Sequence, residues 1–444
     1  MTGARTTETV TARTDGDAAE ESQQASPGLL LLYGADAPRA HAFPLGRSRT
    51  WTLGRHGTAL VAPDPGLSRA HVELRHEDSG WTIRDLGSRN GTFLDGERVM
   101  GATRASSGAI VRASKSLFLL VDDTRAYRGG VTDEGCVLGA AMREVFRRLA
   151  HTAAAGRDLL VTGETGTGKE LAARAFHAAT PRASKPMVCV NCANLPEGLA
   201  ERLLFGARRG TYSGATSDSE GLLAEADGST LFLDEVGELD VRVQAKLLRF
   251  LEAREVLPLG ATQTRKVSVQ IVFATHRDPW RAVPEGRLRE DFVQRIVRPR
   301  LELPPLRARR EEIPWHVAST LRHDGRGLSP HHELIEACVR HPWPGNVRAL
   351  VREIQTAIDA AVFEGVDVVR VKHLTEIAPS RAPGERASIP PERGSVPPEP
   401  GPRELEEALS AHAGNLAATA RALGLHRRHL YRMLARHGLV RGSA

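Results

Sequence analysis

Between residues 163 and 170 the chain reads Gly163, Glu164, Thr165, Gly166, Thr167, Gly168, Lys169, Glu170, directly after the apolar run DLLVT. Glycines in such a loop let successive backbone N–H groups turn toward a phosphate. The helix that follows favours the anion at its N-terminus, and the lysine reaches the terminal phosphates. The chain holds only six lysines, and the one kept here supplies a compact ammonium where arginine would offer a planar fork. Glu170 stands where the general motif has the Ser or Thr that binds magnesium. The run STLFLDE, residues 229–235, reads as a buried strand that delivers Asp234 and Glu235 at its C-terminal end, where α/β sites lie. Asp234 is suited to hold Mg2+, directly or through water, and Glu235 to polarise an attacking water. Thr275 and His276 close a third apolar run, VQIVFATHRD, as polar groups able to sense a γ-phosphate. The chemistry these residues imply is ATP binding and hydrolysis. Downstream, RLREDFVQRI and WPGNVRALVREI carry arginines that can stabilise phosphoryl charge, within the subunit or from a neighbour in a ring; chemistry alone does not choose among them.

The elements that position these groups are legible as a rhythm. From about Thr132 to Pro379, strands such as DLLVTG, TLFLDE and VQIVFAT alternate with helical segments such as KELAARAFHAA and QAKLLRFLEA, predicting an α/β domain with a largely parallel sheet. Its last part, from about Pro304, reads as all-helical. Ahead of it, from Leu29 to about Asp123, short apolar runs (LLLLY, WTIRDL, SLFLLV) broken by Gly, Asp, Asn and Ser predict a small β-sandwich. Residues 1–26 are polar and expected to be disordered. Residues 379–402 are Pro-rich and expected to form a semi-rigid linker. A compact helical segment ends the chain.

With 444 residues and 41% hydrophobic composition, the chain has length for two to four globular domains. The net charge of +6 is less informative than its placement, since from Pro402 onward seven arginines face three glutamates. That end is where nucleic acid is expected. No signal-peptide pattern and no run as long as a membrane span is present, so a cytoplasmic protein with no membrane partner is expected. Four cysteines do not make a disulfide framework. Cys189 and Cys192, spaced C-x-x-C, lack a second pair and are expected to be buried, reduced thiols.

The ordered runs GETGTGKE, VNCANLPE, LFGARRGTYSGA, GSTLFLDEVGELD, LPPLRARREEIP and HPWPGNVRAL resemble the AAA+ domain of bacterial enhancer-binding proteins, the ATPases that activate sigma-54 RNA polymerase. The resemblance spans roughly residues 133–377. It implies that Glu170 is normal after the lysine. It also implies that Asn191 holds Glu235 in a switchable inactive pose, that Arg289 and Arg295 act on a neighbouring subunit's nucleotide, and that Arg348 is the lid's sensor arginine. His276 falls where members often have Asn. The family's sigma-54-contacting loop, Gly-Ala-Phe-Thr-Gly-Ala, corresponds to Gly210, Thr211, Tyr212, Ser213, Gly214 and Ala215. Thr replaces Ala, Tyr replaces Phe and Ser replaces Thr, which keeps a ring and a hydroxyl. A hexamer is the family's active assembly.

Residues 54–96, with GR, GLSRAH and DLGSRNGTFLDG, resemble a forkhead-associated (FHA) domain, which binds phosphothreonine peptides. By position, the resemblance implies that Arg55 and Ser68 hold the phosphate with help from Arg69, Ser88 and Arg89, that Asn90 binds peptide backbone, and that His71 braces the loops. The tail AGNLAATARALGLHRRHLYRMLARHGL has helix–turn–helix spacing and resembles the Fis-type domain of the same activators. Its second helix, with Arg427, Arg428, His429 and Arg432, is expected in the major groove of promoter-upstream DNA. The expected architecture is thus multidomain: an FHA β-sandwich (27–125), an α/β AAA+ P-loop ATPase with a helical lid (132–378), the linker, and an all-α helix–turn–helix domain (403–444). The expected function is ATP-driven remodelling of the sigma-54 polymerase closed complex, gated by a phosphothreonine protein. The alternative is a DNA-binding regulator whose ATPase domain does not engage sigma-54.

Overall fold

The computed structural model describes residues 25–46, 49–56, 60–62, 64–78, 80–129, 131–133, 136–196, 198–211, 217–376, 402–412 and 419. Residues 1–379 form one unit and 380–444 a second. The N-terminal tail to residue 24, most of the Pro-rich linker and the four DNA-facing residues Arg427, Arg428, His429 and Arg432 lie outside the described residues. Of the second unit, the helix Pro402–Ala411 is described, with Leu405 buried.

The first unit begins with two facing sheets, antiparallel throughout except for a short parallel pairing of Leu60–Val61 with Thr50–Gly54. One has six strands in the order Ala37–Pro44, Gly28–Gly34, Ser116–Val121, Ile110–Ala113, Thr92–Leu94 and Glu97–Arg98. The other has five, Leu60–Val61, Thr50–Gly54, Val72–Glu77, Gly80–Asp85 and Thr103–Ala105. Alternate side chains of LLLLY and SLFLLV fill the space between the sheets: Leu29, Leu31, Phe118 and Leu120 pack there with Val72, Leu74, Trp81 and Ile83. The intervening Leu30, Leu32, Leu117, Leu119 and Val121 point the other way and are buried too. An antiparallel sheet commonly shows its second face to water; here that face is covered.

The α/β domain carries a five-stranded sheet in the order Val188–Asn191, Thr230–Asp234, Gln270–Thr275, Leu159–Thr162 and Arg300–Glu302, with every pairing parallel. Leu159, Val161, Phe232, Val272 and Ala274 face helices α1 (Ala140–Ala154) and α2 (Lys169–Ala178). Leu160, Leu231, Leu233, Ile271 and Phe273 face α3 (Val241–Ala253) and α4 (Glu290–Ile296). Burial on both faces explains why these strands read as continuous apolar runs. Beyond Pro304 the chain forms α5 (Ile313–Asp324), α6 (His332–Arg340) and α7 (Asn346–Phe363), joined by a short parallel pairing of Ser329–Pro330 with Val368–Val369 that the helical reading did not include.

Cys192 is buried, and burial pushes its thiol up to about 12. Cys189 is exposed, contrary to expectation, because Val188–Asn191 is the edge strand of the sheet and only part of it is covered. Both thiols are free.

Candidate functional site

The phosphate loop is built by its two neighbours. The strand Leu159–Thr162 delivers Gly163, and Gly168, in the left-handed region at φ 103°, caps α2 so that Lys169 opens the helix. The Lys169 ammonium donates to the Gly163 carbonyl (3.0 Å) and the Glu164 carbonyl (3.4 Å) and stands 3.8 Å from the Glu235 carboxylate. Burial lowers its pKa, opposed by the charges of Glu235 and Asp234, while Arg348 lowers it further. Thr167 is buried and donates its hydroxyl to Glu164 O (2.8 Å); Thr165 is exposed at the tip. Glu170 points away from the loop and pairs with Arg174 one helical turn on, at 2.7 Å.

At the neighbouring strand end, Asp234 is half-buried, and its pKa is raised by burial and then by Glu235. Glu235 sits in the left-handed region (φ 52°), a conformation costing roughly 1–2 kcal/mol for a residue with a side chain. It is held there by His276, whose Nδ1 lies 2.6 Å from Glu235 Oε2 and whose backbone N–H donates to the same oxygen at 3.3 Å. Asn191 is register partner to Asp234 and its Oδ1 accepts from the Ala193 N–H (3.0 Å), while the Glu235 carboxylate is bonded here by His276. Thr275 is buried and its hydroxyl oxygen accepts from Arg277 N–H (3.1 Å). Arg289 and Arg295 lie exposed at α4. Arg289 pairs with Asp291 (2.7 Å) and Arg295 donates to the Leu251 carbonyl (2.9 Å), so their bonds run away from their own phosphate loop.

Several residues without a role in the motif reading turn out to tie the lid to this loop. Asn346, fully buried and left-handed (φ 54°), donates to Glu164 Oε2 (3.1 Å) and the Thr165 carbonyl (3.0 Å) while accepting from Leu306 N–H (2.7 Å). Val347 N–H donates to the Gly166 carbonyl, and a Cβ on Gly166 would lie 2.2 Å from the Gly345 carbonyl, so glycine is required for this approach. Arg348 therefore rises from the first turn of α7 directly over the loop. The Glu164 side chain is clamped by Arg307 (2.6 and 2.8 Å), which holds its carboxyl at about 2. Arg309 bridges Glu312 (2.7 Å) and the Thr167 carbonyl (2.8 Å), and Glu312 and Glu311 in turn accept from the N–H groups of Gly139 (2.6 Å) and Ala140 (3.2 Å) at the start of α1. The sequence signals for these were the dense R-A-R-R-E-E run at 307–312 and the Gly345–Asn346 pair further on.

The sigma-54-type loop is described only at its base. Gly210 is exposed at φ 80°, and Thr211 donates its hydroxyl to the Arg208 carbonyl (2.5 Å) and lies 3.3 Å from the Leu259 carbonyl. Thr211 thus fastens the loop base. Tyr212, Ser213, Gly214 and Ala215 lie outside the described residues.

At the loop end of the β-sandwich, a buried histidine organises the exposed residues. His71 Nδ1 accepts from Ser68 N–H (3.1 Å), so Nε2 carries the proton and donates to the Gly91 carbonyl (3.1 Å); burial lowers its pKa and keeps this neutral form. Ser68 Oγ accepts from Arg89 N–H (3.2 Å), leaving its own O–H to be donated. Ser88 differs, because its hydroxyl hydrogen goes to Asp85 Oδ1 (2.6 Å). Asn90 donates to the Gly66 carbonyl (2.8 Å), and Arg69 and Arg89 extend into solvent. Arg55 donates to the Pro65 carbonyl (3.4 Å), but its buried Nε has no partner.

A lidded α/β domain with this loop and this acidic strand end is an AAA+ domain, set behind an FHA sandwich. The comparisons agree. Residues 137–302 match the model of the sigma-54 interaction domain, 51–113 the FHA domain, and 403–437 the Fis family of bacterial regulatory proteins. The transcriptional regulatory protein GlrR of Escherichia coli (strain K12) is 34% identical over 334 residues, 73% of each chain. The regulatory protein LuxO of Vibrio cholerae is 34% identical over 342 residues, 74% of this chain and 73% of its own. Among solved structures, NtrX from Brucella abortus is 29% identical and superposes with a TM-score of 0.50 over 67% of this chain and 68% of that one. The chain belongs to the sigma-54-dependent transcriptional regulators, the bacterial enhancer-binding proteins. Among the described residues no helix is long and apolar enough to cross a membrane.

Proposed function

We propose that this protein hydrolyses ATP to remodel the sigma-54 RNA polymerase closed complex from an upstream DNA site, under control of a phosphothreonine protein read by the FHA domain. The observation that carries the reading is the assembled state of the nucleotide site: Lys169, Asp234 and Glu235 converge on one loop, and the lid's Asn346 is already bonded to it. The loop N–H groups and Lys169 bind and orient the phosphates. Glu235, held in a left-handed backbone conformation, takes a proton from the attacking water once His276 releases its carboxylate. Asp234 fits a magnesium site: it is a half-buried carboxylate at the strand end, within the fields of Glu235 and the phosphate-loop Lys169. Magnesium typically needs only one or two carboxylates beside phosphates and waters. Bound there, it would neutralise the charge of the transferring phosphoryl group. Arg289 and Arg295, directed away from their own loop, suit a neighbour's nucleotide in a head-to-tail ring, for which a hexamer is the proposed assembly.

In the FHA domain, the free O–H of Ser68 and the Arg55 guanidinium beside it are the donors proposed for a phosphate. Arg427, Arg428, His429 and Arg432 supply the DNA contacts in this reading.

The test supplies purified protein, ATP and promoter DNA with either sigma-54 or housekeeping-sigma holoenzyme, and measures open-complex formation. Opening is expected only with sigma-54 and is lost in Tyr212→Ala or Ser213→Ala. ATP turnover without opening overturns the reading in favour of a DNA-binding regulator whose ATPase does not engage sigma-54.

A further inference from the structure

The outer face of the six-stranded FHA sheet is not a surface. Leu30, Leu32, Tyr33, Ile110, Leu117, Leu119 and Val121 share one core with Ile313, Val317, Leu321, Leu334, Ile335 and Val339 of the ATPase lid. Helix α5 lies against Ala37–Pro44, and α6 against Ile110–Ala113 and Ser116–Val121. Polar bonds border this core: Tyr33 Oη donates to the Pro330 carbonyl (3.3 Å) and Arg310 Nη1 to the Gly108 carbonyl (3.0 Å). One charged residue of the strand Ile110–Ala113 interrupts the apolar face. Arg112 alternates outward with Ile110, stacks over the Phe93 ring at 3.7 Å, and donates from Nε to Glu336 Oε2 on α6 at 2.7 Å. Both members are nearly buried, at 8% and 5% exposure.

We infer that Arg112, although a residue of the FHA domain, is a positioning residue of the nucleotide site, acting through Glu336 to fix where the lid sits on the phosphate loop. An apolar face alone permits sliding; a buried ion pair adds little net stability but sets register. The lid end of this contact is short. Glu336 lies on α6, whose Cys338 carbonyl accepts from Trp343 Nε1 (2.7 Å), and the Trp343 carbonyl accepts from Asn346 N–H (2.7 Å). Asn346 then bonds the loop. Arg112 also donates to the Ser114 carbonyl (3.4 Å), and Ser114 Oγ accepts from Asn90 (3.4 Å) at the peptide rim. The FHA domain therefore travels with the lid, and any ligand that shifts one shifts the other. This rests on the nucleotide-site reading and needs neither polymerase nor phosphopeptide activity.

The experiment uses the full chain and titrates a fluorescent ADP. Arg112→Glu and Glu336→Arg each place two like charges in the interface; each is expected to weaken nucleotide affinity by about 5–150-fold, the range of ordinary intersite coupling. The charge-swapped double variant Arg112→Glu/Glu336→Arg is expected to return to within about threefold of the parent, a rescue that general damage would not give. A second readout is hydrogen exchange at residues 343–348, which the single variants raise and the double variant lowers again. Parent-like affinity in both single variants overturns the inference, and so does a double variant as weak as the worse single one. If the parent binds no nucleotide, the site reading itself fails, and that outcome is distinct from either.

Discussion

At the nucleotide site Lys169, Thr167 and Asn346 are buried, and each already has protein partners. At the FHA rim Arg69, Arg89 and Asn90 are exposed, and the locked residues lie one layer beneath: His71 between Ser68 and Gly91, Asp85 under Ser88 and Thr92, Asp64 under Gly66 and Lys115. Both regions are proposed to hold a phosphate, yet one encloses its donors and the other presents them. The difference follows from the task. Catalysis needs groups whose geometry is fixed before the transition state forms, in a site shielded from water. Recognition of a peptide needs reachable donors on turns stiff enough that ordering them costs little.

Five substitutions would break or sharpen this contrast. Glu235→Gln removes the proton acceptor but leaves the loop intact, so phosphate release should fall by about 10²–10⁴-fold while fluorescent-nucleotide binding stays near that of the parent. Hydrolysis at the parental rate would mean that the enclosed carboxylate is not the base. Arg55→Ala should weaken binding of a phosphothreonine peptide by roughly 10–100-fold, the loss of one charged hydrogen bond. Ser68→Ala should cost more affinity than Ser88→Ala, because only Ser68 keeps a hydrogen to donate; fluorescence polarisation with equal losses would erase the distinction. The smallest effect concerns Glu311, buried beside Glu312, Arg309 and α1, where burial pushes its carboxyl up to about 7 from the ordinary 4.5. A raised folded-state value contributes stability that is complete below about 4.5 and lost as pH rises through about 7. Glu311→Gln lacks that loss and can still accept from Ala140, so its melting temperature should exceed the parent's by roughly 2–4 °C at pH 8 and not at pH 4. An advantage that does not change with pH would show that Glu311 is charged throughout.

Local chemistry was readable and remote chemistry was not. The loop at 163–170 and the pair Asp234–Glu235 declare themselves because a strand, a turn and a helix adjoin in the chain. Asn346 reaches Glu164 from 182 residues away, and Glu312 reaches Gly139 from 173; no periodicity encodes such contacts. Cys189 shares its apolar-looking strand with half-buried valines but falls at the edge of the sheet, which strand order decides and composition does not.

The strand LLLLY has a consequence for anyone who would cut the molecule apart. Its leucines alternate between two different interiors, one within the sandwich and one shared with the helices beyond residue 306. A fragment ending at residue 125, where composition invites the cut, would bring a broad greasy sheet into water with a lone guanidinium in its midst. Such a piece is set up to self-associate; the smallest well-behaved segment carrying the FHA sandwich includes the lid of the AAA+ domain.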